Sequence, residues 1–210
     1  MEVDNASTDG VKIILLLASY DPETKSILYR IRDEIAKYST YFRDYIITLL
    51  LENVELFMAD DRHVILVERF NDMATAMIFE EYSLIDVVDF KVNAEADVEA
   101  KLRSLNYQVL TKFSILDKLE LLAQSSFLTF VIRHKELTRG GEYIELSFLL
   151  GRGLSPDKVY LFINQEIEIS TMLKELIEAT RIRLRTYNDE SDLVETIRRV
   201  IYYEIKRNKM

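Results

Sequence analysis

The chain has 210 residues, a net charge of −9 and no cysteine. That length suits one domain burying its own core without staples. The missing cysteine excludes disulfides, thiolate metal sites and a cysteine nucleophile, and the acidic balance argues against a duplex nucleic acid partner.

The opening "MEVDNASTDG" is acidic and polar, unlike a secretory leader, and reads as a loose tail over residues 1–10. No apolar run approaches the roughly 20 residues that span a membrane. A cytoplasmic protein is expected. Abundant Ile, Leu, Glu, Lys, Arg and Tyr with no Trp resembles a thermophile's composition.

"VKIILLLASY" (11–20) is a continuous apolar run, the pattern of a strand buried on both faces. Pro22 and Glu23 suit the first turn of a helix. Apolar residues at helical spacing then run to about Leu51, with a break expected near Ser39–Thr40. "VELFMADDRHVILVERFND" (54–72) predicts two strands around a turn. "MATAMIFEEY" (73–82) is ambiguous, and 84–92 predicts another strand.

From residue 94 the chain alternates more clearly. A helix is expected over 94–107 and a strand over 108–113. A helix follows over 114–124, with Ser114 as its N-cap. Strands are expected over 125–134, 158–164 and 182–188, with helices over 142–150, 169–181 and 190–208. The last is begun by Asp189 or Ser191. Strands alternating with helices predict one α/β domain over 11–210: a doubly wound, mainly parallel sheet with helices on both faces. Residues 54–93 are read as a variable or inserted, hairpin-containing part.

Four of the five glycines fall within "RGGEYIELSFLLGRG" (139–153). In an open α/β sheet ligands bind at the carboxyl ends of strands, which is where the loop before this helix lies. Gly140 and Gly141 would let the backbone turn tightly and approach a ligand. The helix that follows would aim free N–H groups and a positive dipole end at the crevice. Arg133, His134, Lys135 and Arg139 add positive charge suited to an anion. Glu142 and Glu145 are three apart, so they neighbour one another. The dipole would keep a carboxylate there ionised. Such a group could attack an anomeric carbon or stabilise an oxocarbenium-like transition state. Acidic residues in a first turn also serve simply as dipole caps.

The "S-Y-D" turn after the first strand, then "ILDKLELLAQSSFLTFVI", "GGEYIELSFLL" and "KVYLFIN", resembles the flavodoxin-like group of nucleoside 2-deoxyribosyltransferases and TIR-like NAD-cleaving domains. The resemblance covers residues 11–35 and 114–207. Gly141-Glu142-Tyr143-Ile144-Glu145-Leu146-Ser147 is similar to the transferases' "G-T-x-x-E-L-G", whose Glu is the nucleophile. The resemblance therefore implies that role for Glu145. It also implies that Ser19, Tyr20 and Asp21 line a base and ribose pocket. The motif's Thr is Glu142 here, and "RHKELTR" replaces the transferases' acidic lead-in. NAD enters as a substrate on this reading. No bound cofactor or metal is expected, and the partner is a small nucleotide or nucleoside.

Two alternatives stand beside it. One is a sensing or interaction module that keeps the pocket without catalysis. The other is a metal-dependent nuclease of the PD-(D/E)xK type. Its acids would be Asp60, Asp61 and Glu68, or Asp117 with Lys135. "IRHK" has Arg where that motif's Glu belongs. His63 reads as a solvated turn residue. The tyrosines of "TYN" and "VIYYEI" read as core and rim, and the apolar faces of the last helices leave room for a homodimer.

Overall fold

In the computed structural model the described residues are 12–19, 21–42, 46–60, 62–70, 72–80, 83–92, 95–135 and 141–208. The expected tail at 1–10 lies outside them. The fold is mixed α/β, with one parallel sheet flanked by helices and one antiparallel sheet.

Five strands make the parallel sheet: β1 (Lys12–Ala18), β2 (Ile46–Leu50), β8 (Leu128–Arg133), β9 (Val159–Asn164) and β10 (Arg183–Tyr187). They lie in the order β10-β9-β8-β1-β2, and every pairing is parallel. Taken by chain order, the second strand sits outside the first, and the third, fourth and fifth follow on the other side.

β1 shows why continuous apolar runs were needed. Side chains alternate across a strand. Ile13, Leu15 and Leu17 enter one core, and Ile14, Leu16 and Ala18 enter another on the opposite face. The second core is covered by α1 (Pro22–Phe42) through Ile27, Leu28, Ile31 and Ile35. α6 (Glu190–Asn208) joins it there through Leu193, Ile197 and Ile201. The first core receives α3 (Ile115–Ser125), α4 (Gly141–Gly151) and α5 (Thr171–Thr180), through residues such as Leu122, Leu149 and Leu173. Ser114 caps α3 by accepting from the Asp117 amide at 3.2 Å, and Asp189 caps α6 through the Asp192 amide at 2.9 Å.

Two expectations about the first half change. The predicted helix to Leu51 stops at Phe42, and "IITLL" is the buried strand β2. A five-residue apolar run beside another buried strand gains more from the sheet than from prolonging a helix. The middle segment is also larger than a hairpin. β3 (Val54–Ala59), β4 (His63–Phe70), β5 (Met73–Glu80), β6 (Ser83–Lys91) and β7 (Val109–Lys112) form an antiparallel sheet in the order β6-β5-β4-β3-β7. The ambiguous 73–82 is thus mostly strand. One face packs Phe57, Ile65 and Val67 against Val98 and Leu102 of α2 (Glu95–Ser104). The other sends Val54, Leu56, Leu66 and Met77 into the core shared with α3. Among the described residues no helix is long and apolar enough to cross a membrane.

Candidate functional site

The carboxyl ends of β1, β8 and β10 meet at one edge of the parallel sheet. Asp21, just after β1, caps α1. Its Oδ1 accepts from the amides of Glu23 (3.2 Å) and Thr24 (3.1 Å), and its Oδ2 accepts from the Thr24 hydroxyl at 2.6 Å. Burial pushes its pKa up, but the Thr24 and Ser19 hydrogen bonds and the Lys135 charge outweigh that and hold it below the usual value. Asp21 is therefore a carboxylate engaged in shaping the turn.

β8 ends in Arg133, and His134 and Lys135 follow. Arg133 Nη1 donates to Glu142 Oε1 at 2.5 Å, and its guanidinium stacks 4.8 Å from the Tyr143 ring. Lys135 donates to Glu23 and lies 3.8 Å from Asp21. His134 Nε2 lies 3.8 Å from Glu23. The surplus of positive charge expected here is thus matched by acids from α1 and α4. The local attraction for an anion is weaker than "RHK" alone suggests.

Tyr187, at the end of β10, donates its hydroxyl proton to the Arg133 carbonyl at 3.0 Å. The same oxygen lies 3.1 Å from His134 Nδ1, and the two rings are stacked. With the tyrosine proton committed, the histidine must donate. This places a proton on Nδ1 and turns Nε2 toward Glu23.

α4 begins at Gly141, with Glu142 in its first turn. A Cβ on Gly141 would meet nothing within 4 Å, so the protein itself does not require glycine there. Among the described glycines of the cluster, Gly153, with φ of 89°, is the one whose backbone conformation calls for glycine. Glu142 is 1% exposed and bound to Arg133. Glu145 is half-buried one turn on. Its Oε2 is enclosed and makes no hydrogen bond within the described protein. Burial first, and then the Glu142 carboxylate, push the Glu145 pKa up to about 7, against the opposing charge of Lys118. The helix dipole was expected to keep this group ionised, and desolvation wins instead.

Sequence reasoning missed Lys118. Its ammonium donates to the carbonyls of Leu51 (2.8 Å) and Val54 (2.7 Å), tying α3 to the chain as it leaves β2 for the second sheet. A lysine inside "SILDKLELL" was the available signal. Tyr187 was read as core or rim; its place at a strand's carboxyl end could have marked it. Tyr20, Arg139 and Gly140 lie outside the described residues. None of the described hydrogen bonds or ion pairs joins Glu145 to Ser19 or Asp21.

The nuclease residues do not converge. Asp60 accepts from His63 Nδ1 and the Arg62 amide in its own turn. Glu68 is paired with Arg32 at 3.3 Å, and Asp117 accepts from Ser114. Asp61 is outside the described residues. Among the described residues no group of three His, Cys, Asp or Glu could hold a metal ion.

No family model matches the chain, and no curated protein matches it. Among solved structures, the azoreductase from Bacillus anthracis str. Sterne is similar over 94% of this chain and 96% of its own, at 9% identity and a TM-score of 0.39. A likeness at that score carries no argument about fold or chemistry.

Proposed function

We propose that the chain binds a nucleoside or nucleotide at the carboxyl edge of the parallel sheet and cleaves or transfers its N-glycosidic bond with the Glu145 carboxyl. The observation that carries this is Glu145 itself. It is a half-buried carboxyl with one enclosed, unpartnered oxygen, balanced near neutral pH and one turn inside a helix that starts at this edge. In its ionised form it attacks the anomeric carbon as the bond to the base breaks. Water or a second base then takes the sugar. The imidazolium form of His134, its Nδ1–H held by Tyr187, hands the Nε2 proton to the departing base. A doubly wound, flavodoxin-like sheet is part of this reading. The strand order, with α1 and α6 on one face and α3 to α5 on the other, supports it.

The test is base release from a panel of deoxynucleosides and NAD, followed by chromatography, with Glu145→Gln in parallel. Release by the wild type that the variant abolishes supports the proposal. No release from any substrate by folded protein overturns the catalytic part. A second reading, a nucleotide-sensing module, draws on one observation: Glu145's electrostatic neighbours are Glu142 and Lys118 rather than Asp21. Thermal shifts with nucleotides that occur without turnover would favour it.

A further inference from the structure

The opposite flank of the sheet carries a cleft of about 650 Å³ between α6 and the open edge strand β10. Three arginines line it: Arg185, Arg198 and Arg199. Three tyrosines do too: Tyr160, Tyr202 and Tyr203. The tyrosines of α6 were expected at the core or its rim, yet Tyr203 is 61% exposed and Tyr202 39%. Tyr160 shows its ring to cations: the Arg183 and Arg185 guanidiniums lie 5.1 and 5.8 Å from its centroid. Glu195 pairs with Arg198 at 3.2 Å and with Arg199 at 3.1 Å. Glu34 also lies within electrostatic reach of Arg198, and Lys206 adds a cation beside Tyr202, 4.3 Å from its ring centroid. Residues 181–210 hold eight of the 27 Lys and Arg and five of the 36 Asp and Glu, so this end is basic within an acidic chain.

We propose that this cleft is a binding site for single-stranded nucleic acid, with Arg185, Arg198 and Arg199 following the phosphates and Tyr203 stacking on a base. A groove of cations interleaved with exposed aromatic rings is the recurring form of sequence-tolerant single-strand binding. Net acidity disfavours a duplex footprint, which needs a broad basic face. A short strand needs only the few cations present. A second copy of the chain fits less well, because a two-fold contact would bring the same arginines face to face.

Fluorescence anisotropy of the full chain with a labelled 12-nucleotide dT strand tests this. Saturable binding is expected, with log affinity falling against log salt at a slope of about −2 for three phosphates. Tyr203→Ala should weaken it by about tenfold, and Arg185→Glu with Arg199→Glu should abolish it. Ultraviolet cross-linking of the wild type to a thiouridine strand avoids any folding defect in the variants and should mark peptides within 183–203. No saturable binding at low salt overturns the proposal, as do cross-links confined to other segments. Equal displacement by polyglutamate overturns it in favour of an acidic peptide. A Tyr203→Ala variant that turns a dimer into a monomer while the strand still fails to bind overturns it in favour of self-association.

Discussion

Arg133 and Glu142 lock the last residue of β8 to the first turn of α4, with 2.5 Å between Nη1 and Oε1 and Glu142 almost wholly buried. The pair fixes where α4 starts, and therefore where Glu145 sits one turn later. The Tyr143 ring covers the guanidinium from the side. The helix N-terminus adds favourable field for the Glu142 carboxylate.

Breaking one partner of that pair leaves a buried charge. Arg133→Met is expected to cost about 3–5 kcal/mol in urea denaturation. Adding Glu142→Leu should recover most of the loss, because the buried carboxylate goes with the guanidinium it faced. A double variant no more stable than the single one would show that the two residues act independently.

Tyr187→Phe removes the donor to the Arg133 carbonyl and the acceptor for His134 Nδ1. Both partners lie near the protein interior. A loss of about 1–3 kcal/mol is expected. The His134 ring should also lose its fixed tautomer, which nitrogen chemical shifts of labelled histidine would show. Unchanged shifts in the variant would mean that Tyr187 does not orient the ring.

Asp21 serves as the N-cap of α1, so Asp21→Ala should destabilise the protein by about 1 kcal/mol. Asp21→Ser retains a capping oxygen and should recover most of it. If both variants lose nucleotide-induced thermal shifts while only the alanine is less stable, Asp21 acts in the pocket as well as in the turn.

Much of the architecture was legible because it rests on local pattern. β1, β8 and β9 are short runs that are mostly apolar on both faces, and Ser114 and Asp189 mark helix starts by hydrogen-bond chemistry that the sequence shows. β2 was not legible. Ile46 and Leu49 continue the helical spacing of α1, and only the neighbouring β1 makes "IITLL" a strand. The antiparallel sheet was half seen, since "MATAMIFE" signals neither period clearly and β7 finds its partner β3 across 50 residues. In the site, Glu142 and Glu145 were correctly placed on one helix face, but their opposite fates were not readable. Glu142 is paired because Arg133 ends the preceding strand. Glu145 is desolvated because α3 packs beside α4. Likewise Glu23 was read only as a first-turn acid. Its pairing with Lys135 depends on β1 and β8 lying side by side.

Glu145 gives the sharpest pH signature. Burial and Glu142 raise its pKa in the folded protein to about 7, with Lys118 opposing, while the unfolded chain should titrate near the ordinary carboxyl value. Between those values the folded state holds a proton that the unfolded state has released. Stability from this group is therefore complete below the unfolded pKa and falls as pH rises, until it is lost above about 7. The whole shift would correspond to about 3 kcal/mol, and partial exposure reduces that to about 1–2 kcal/mol. Glu145→Gln cannot ionise, so it should match the wild type at pH 5 and exceed it by about 1–2 kcal/mol at pH 8. Denaturant titrations at pH 5, 6, 7 and 8 would read the difference directly. A gap that stays constant across those four conditions would mean that Glu145 titrates alike in both states. It would then lose its standing as a carboxyl balanced near neutral pH.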